Sequence, residues 1–209
     1  MKRRFRDRSD AGAQLADLLP VDLHEPLVLA LPRGGVPVAR VVADRLRAPL
    51  EVLVARKLGA PTHPELGIGA IAEGGGAALS ADTVRALRIS EEEIHRIIER
   101  EQAELQRRVD AYRGDRPLPD VRERDVVLVD DGLATGVTAE AALRSLRLQD
   151  PARLILAVPV GPPETVRRLV PPADEVVCVV TTRHLVAVGA WYHDFTQTTD
   201  AEVRELLAR

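Results

Sequence analysis

Asp130 and Asp131 stand side by side behind four apolar residues and ahead of a loop of small residues, in the stretch VVLVDDGLATGVT at 126–138. Adjacent carboxylates repel one another and glycines cost conformational entropy, so a generic turn gains nothing from this composition. At the carboxyl end of a buried parallel strand, such a loop lies where open α/β sheets hold ligands. The residues that follow read as a helix, whose first N–H groups and dipole favour an anion. Gly136 lets the backbone approach closely, and Thr135 and Thr138 add hydroxyl donors. The carboxylates can accept hydrogen bonds from sugar hydroxyls or hold Mg²⁺, and the loop can hold a phosphate. A phosphorylated sugar uses both halves; an acidic cap on an ordinary strand–loop–helix turn is the alternative. Neither a Gly-Lys-Ser/Thr loop nor GxGxxG is present.

The elements around this stretch must place it. Apolar, β-branched runs at 27–31, 50–55, 68–72, 126–129, 154–158 and 176–180 predict strands, with helices at 37–47 and 138–148. The runs lack polar alternation, as strands buried on both faces do. The pattern predicts an α/β fold with a doubly wound, mainly parallel sheet. We read residues 1–209 as one domain, with a flexible and helical lobe inserted at 59–120 and a C-terminal segment at 183–209. In the lobe, Ser90 and Glu93 form a capping-box pattern, and Ile94, Ile98, Leu105, Val109 and Tyr112 give the helix at 90–113 an apolar stripe. The stripe suits packing on its own chain; a homodimer through this helix stays open.

Composition narrows the classes. Apolar residues make up 45 % and charged residues 29 % of the chain, as in a globular domain. A net charge of -3 gives no global reason to expect a nucleic-acid partner. The cluster Lys2, Arg3, Arg4, Arg6 and Arg8 reads as a solvated tail. A single cysteine, Cys178, excludes an intrachain disulfide and a cysteine-based zinc site, and its apolar surroundings predict a buried, inert thiol. No apolar run approaches the ~20 residues of a membrane helix, and no signal-peptide core opens the chain, so a cytoplasmic location without a membrane partner is expected.

The stretch 126–138 resembles the signature of type I phosphoribosyltransferases: apolar run, acidic pair, small-residue loop, Thr-Gly, Thr. The resemblance implies that Asp130 and Asp131 contact the ribose hydroxyls of phosphoribosyl pyrophosphate (PRPP). It also implies that Ala134, Thr135, Gly136, Val137 and Thr138 wrap its 5′-phosphate. In LALPRGGVPVA, the residues Arg33, Gly34 and Gly35 resemble the family's pyrophosphate loop, where a cis peptide is implied between Pro32 and Arg33. Arg56 and Lys57 resemble basic residues that reach the pyrophosphate from the second strand. The glycines from Gly67 to Gly76 occupy the region of a mobile loop that closes over the reacting centre. His63, near its start, reads as a loop histidine. The family's base stacks on a small hood outside the core. The segment 187–199 is the candidate, with Trp191, Tyr192 and Phe195 among the chain's five aromatics and Asp194 as a reader of a base edge.

The implied reaction is Mg²⁺-dependent displacement of pyrophosphate from PRPP by a nucleobase-like nitrogen acceptor. Mg²⁺ would bridge substrate oxygens, with Asp130 and Asp131 as its direct or water-mediated protein ligands. Two departures leave the acceptor open. Purine-salvage relatives carry aspartate at the position of Ala134. LATG is similar to uracil phosphoribosyltransferases, which have proline where this chain keeps Asp131. A PRPP-binding regulator without turnover is the second expectation. A repressor of that kind adds a DNA-binding domain, and the segment before Leu27 is too short for one, so no DNA partner is expected.

Overall fold

Alternate residues of the central strands feed opposite cores. The computed structural model describes residues 5–63 and 66–209. Strands β1 (Leu27–Ala30), β2 (Leu50–Val52), β6 (Asp125–Val129), β7 (Arg153–Gly161) and β8 (Glu175–Thr181) form a five-stranded sheet in the order β2-β1-β6-β7-β8. All its pairings are parallel. Val28, Ala30, Val127, Val129, Ile155 and Ala157 face one core. Leu27, Leu29, Val126, Leu128, Leu154 and Leu156 face the other. This period-two division explains why the runs carry no polar positions: both faces are covered.

Helices α1 (Arg8–Ala16) and α2 (Gly35–Leu46) cover the first face through Leu15, Val36 and Val42. On the second, α5 (Val137–Arg147) buries Leu143 and Leu146, and α6 (Pro163–Arg168) leads into buried Leu169. Each fully buried Leu or Val contributes roughly 1.5–3 kcal/mol. The expected doubly wound α/β architecture is therefore present.

The expected second strand, 50–55, is corrected. It stops at Val52, and Leu53 still donates to the Ala30 carbonyl at 3.0 Å. The chain then leaves into a separate antiparallel sheet of β3 (Ala55–Gly59), β4 (Gly67–Ala72) and β5 (Ala77–Leu79). The strand predicted at 68–72 is β4, so of the glycine-rich stretch expected as a mobile loop only the turn at 73–76 is not strand. Gly69 passes so close to β5 that a Cβ would meet the Ala78 carbonyl oxygen at 2.4 Å. This small sheet rests on α5, where the Ser145 hydroxyl donates to the Glu73 carbonyl.

After α3 (Ala81–Ala86), the capping box of Ser90 and Glu93 opens α4 (Glu91–Arg113), as its sequence predicts. The buried face of α4 is Ile97, Leu105, Val109, Tyr112 and Arg113, while Ile94 and Ile98 are only half-buried. At the carboxyl end, a 3₁₀ turn (Val188–Trp191) precedes α7 (Asp200–Leu207). The N-terminus joins that end through Phe5, whose N–H donates to the Trp191 carbonyl and whose carbonyl accepts from His193 N–H, both at 2.8 Å.

Candidate functional site

β1 and β6 pair with Ala30 opposite Val129, so the loops that follow them leave the sheet at one level. Leu31 N–H extends the pairing to the Val129 carbonyl at 2.9 Å. The next residues then pack directly on the acidic pair. A Cβ on Gly34 would lie 2.0 Å from Asp131 Oδ2, and one on Gly35 would lie 2.8 Å from the Val129 carbonyl oxygen. Both glycines are required by this approach of one loop to the other. The Pro32–Arg33 peptide is cis, as the resemblance implied. Among the described residues, no protein group accepts from Arg33 or Gly34 N–H, whereas Gly35 N–H donates to the Leu31 carbonyl at 3.0 Å.

The acidic pair is sunk at the strand end. Asp131 N–H donates to Asp130 Oδ1 at 2.8 Å, and the Tyr192 hydroxyl donates to the Asp131 carbonyl at 2.6 Å. Burial pushes the Asp130 carboxyl well above the usual carboxylate range, and the neighbouring Asp131 charge adds to this. Burial also raises Asp131, opposed by the guanidinium of Arg8. Burial raises the Tyr192 hydroxyl too, which keeps it protonated as a donor.

Arg8 overturns its reading as part of a solvated tail. Asp7 caps α1 by accepting from Asp10 N–H, and this turns Arg8, the first helical residue, inward. Its Nε and Nη2 lie 3.0 and 2.9 Å from Asp131 Oδ2, and its Nη1 donates to the Thr196 carbonyl at 2.8 Å. The guanidinium also lies 3.9 Å from the centre of the Phe195 ring. A half-buried carboxylate gains most from a cation in contact, which charge counting along the chain cannot reveal. Arg6 does remain exposed, pairing with Asp10; Lys2, Arg3 and Arg4 lie outside the described residues.

Past the acids, Gly136 adopts φ +74 as the N-cap of α5, a left-handed conformation that favours glycine. No protein group among the described residues accepts from the N–H groups of Ala134, Thr135, Gly136, Val137 or Thr138. Ala134 and Thr135 are exposed, and Val137 and Thr138 are half-buried. Free N–H groups at the start of a helix form an anion cradle. Two residues that sequence reasoning missed, Thr165 and Arg168 on α6, contact this loop from behind.

The remaining expected residues are spread more widely. Arg56 and Lys57 are neighbours on β3 and so point to opposite faces. Arg56 pairs with Glu101 on α4 at 2.8 Å, and Lys57 lays its stem over Gly67. Arg33 lies 3.7 Å from Asp200. Trp191 and Tyr192 are buried with Phe5 in a small core of their own. Phe195 is half-buried, with its ring centre 4.9 Å from that of Tyr192. Asp194 is exposed and accepts from the N–H and hydroxyl of Thr196, which lowers its carboxyl. Among the described residues, no three His, Cys, Asp or Glu side chains gather for a metal. No helix there is long and apolar enough to cross a membrane.

A family model described as the phosphoribosyl transferase domain matches residues 10–194. The chain belongs to this family. Two Mycobacterium tuberculosis proteins, named “Putative phosphoribosyl transferase MT0597” and “Putative phosphoribosyl transferase Rv0571c”, are each 47 % identical to it over 206 residues. The match covers 98 % of this chain and 46 % of each relative, so the chain spans about half their length. The crystal structure of TT1426 from Thermus thermophilus is 46 % identical, with a TM-score of 0.81 over 98 % of this chain and 97 % of that one. The AQ2163 protein of Aquifex aeolicus shares the fold at 14 % identity, with a TM-score of 0.53 over 96 % and 85 %. The family match begins after Arg8 and ends before Phe195.

Proposed function

We propose that this phosphoribosyl transferase domain moves the 5-phosphoribosyl group of PRPP to a nucleobase-like nitrogen and releases pyrophosphate. The observation that carries the reading is the pair of loops flanking the acids. One side offers the Arg33 and Gly34 N–H groups, and the other offers those of Ala134 to Thr138. Two anion-binding loops separated by two carboxylates match a sugar phosphorylated at both ends.

In this reading Asp130 and Asp131 accept the ribose hydroxyls, the loop from Ala134 to Thr138 holds the 5′-phosphate, and the Arg33–Gly35 turn holds the pyrophosphate. Arg33 adds charge there, and Arg56 and Lys57 are the further basic candidates. The C1–O bond breaks as pyrophosphate leaves, a C1–N bond forms, and the acceptor's proton passes to solvent. Charge develops on the leaving diphosphate, so fixed donors aimed at it lower the barrier. Holding acceptor and sugar together supplies the rest. Asp130 and Asp131 would hold Mg²⁺, directly or through water, and the ion would supply positive charge against the leaving diphosphate. The acceptor side differs from purine salvage, because Ala134 offers no carboxylate for the base. Phe195 and Asp194 are the residues of the C-terminal segment left to meet a ring.

The test is to supply Mg²⁺, PRPP and a panel of purine and pyrimidine bases and to follow pyrophosphate release. Release with one base identifies the acceptor. PRPP binding without release on any base favours regulation or an acceptor outside the panel. Asp130→Asn and Asp131→Asn should each weaken PRPP binding; unchanged affinity by calorimetry would remove the carboxylates from the site.

A further inference from the structure

The loop that follows the acidic pair is tied from behind at two consecutive carbonyls. The Thr165 hydroxyl donates to the Ala134 carbonyl at 3.2 Å, and Arg168 Nη2 donates to the Thr135 carbonyl. Both donors sit on α6, one turn apart. A trans peptide is planar, so its carbonyl and the following N–H point in opposite directions. Drawing the Ala134 carbonyl toward α6 aims Thr135 N–H away from it. Drawing the Thr135 carbonyl does the same for Gly136 N–H. The loop therefore shows donors to its open side because α6 holds its acceptors.

Arg168 is itself clamped. Its Nη1 pairs with Glu140 in the first turn of α5, and Glu140 also takes Arg144 at 2.7 Å. A carboxylate in that turn would repel an anion bound at the helix start, and Arg168 offsets its charge. Thr165 also packs on the glycine: a Cβ on Gly136 would meet its Cγ2 at 2.6 Å and Arg168 Nη2 at 3.3 Å. Thr165 is 6 % exposed, so its hydroxyl has little access to water as an alternative partner.

We propose that Thr165 and Arg168 are positioning residues for the 5′-phosphate: they lock two peptides of the loop with their N–H groups facing the ligand and prevent a flip that would present carbonyl oxygens to it. The inference rests on the reading of this loop as the 5′-phosphate cradle. It adds residues outside the signature that decide whether the cradle is preformed.

The experiment compares ribose 5-phosphate, PRPP and pyrophosphate binding by calorimetry for the wild-type chain, Thr165→Val, Thr165→Ser and Arg168→Met. Loss of one tie is expected to weaken ribose 5-phosphate and PRPP about tenfold, as for one hydrogen bond, and to leave pyrophosphate unchanged. Thr165→Ser keeps the hydroxyl and should bind ribose 5-phosphate more tightly than Thr165→Val. Wild-type affinity in both Thr165→Val and Arg168→Met overturns the inference alone. So does an equal loss for pyrophosphate, or a Thr165→Ser no better than Thr165→Val, since either marks a general structural effect. A wild-type chain that binds neither ribose 5-phosphate nor PRPP overturns the proposed function, and this inference with it.

Discussion

Arg8 and Asp131 lie far apart in the chain and meet at 2.9 Å, with the guanidinium laid over Phe195. This contact opposes the effect of burial on the acidic pair. Burial favours the protonated carboxyls, and Arg8 opposes it. An adjacent opposite charge favours the ionised carboxylate. Sugar hydroxyls donate to ionised carboxylates, so PRPP affinity should rise with pH from the ordinary carboxylate range up to the raised values, then level off. Arg8→Met removes the opposing charge and moves that rise to higher pH. We expect the variant's PRPP affinity to fall below wild type in the acid range, with the gap closing as pH increases. Titration of the PRPP phosphates cancels in the ratio of the two proteins. A ratio constant across pH would show that Arg8 acts through shape alone.

Gly34→Ala tests the contact between the two loops. The backbone of Gly34 has φ -64, which alanine adopts freely, so the whole effect comes from the methyl group set against Asp131. Overpacking of this kind costs about 1–3 kcal/mol. Asp131 must move, and its oxygens are the proposed ribose acceptors. A modest fall in melting temperature should accompany a loss of PRPP binding larger than tenfold. Normal PRPP affinity in calorimetry would mean that Asp131 can shift without consequence.

The free N–H groups of the 134–138 loop and the acid pair at the strand end were legible because each is local: glycine, threonine and aspartate at fixed spacing determine one strand end. The doubly wound sheet was legible because burial on both faces writes uninterrupted apolar runs. The break after Val52 was not, since Leu53, Val54 and Ala55 continue the same apolar composition while the chain changes sheets. Arg8 was invisible for a different reason. Its partner lies across the whole domain, and a basic residue among basic neighbours carries no sign of the carboxylate it will meet. Trp191 and Tyr192 illustrate the reverse. An aromatic cluster reads equally as a flat-ring site or as packing, and the structure buries both rings with Phe5.

Cys178 is half-buried rather than buried as its apolar run predicts, and it should still be nearly unreactive. Burial pushes its thiol up to about 11, and its Sγ contacts the Val180 carbonyl at 3.2 Å. At pH 8 the thiolate fraction is then about one in a thousand, and the thiolate is the reactive form. An aromatic disulfide reagent should label the folded protein far more slowly than the urea-unfolded chain. Comparable rates would contradict a thiol held mostly protonated by its surroundings.

The stability of the small sheet depends on Arg113 at the end of α4. Its side chain is 2 % exposed, and it pairs with Glu73 through both nitrogens while Nη1 also donates to the Val52 carbonyl at 3.2 Å. One cation thus joins the point where the chain leaves the parallel sheet to the end of β4. Arg113→Met leaves the Glu73 carboxylate and a buried carbonyl without their donor. Breaking a buried pair from one side costs about 3–5 kcal/mol, whereas replacing both partners with apolar groups is often near neutral. In urea denaturation, Arg113→Met should therefore lose several kcal/mol, and Arg113→Met with Glu73→Met should recover much of it. If the double variant is as unstable as the sum of the two single ones, the pair is not a coupled unit. The loss would then belong to the Val52 carbonyl and the packing of α4.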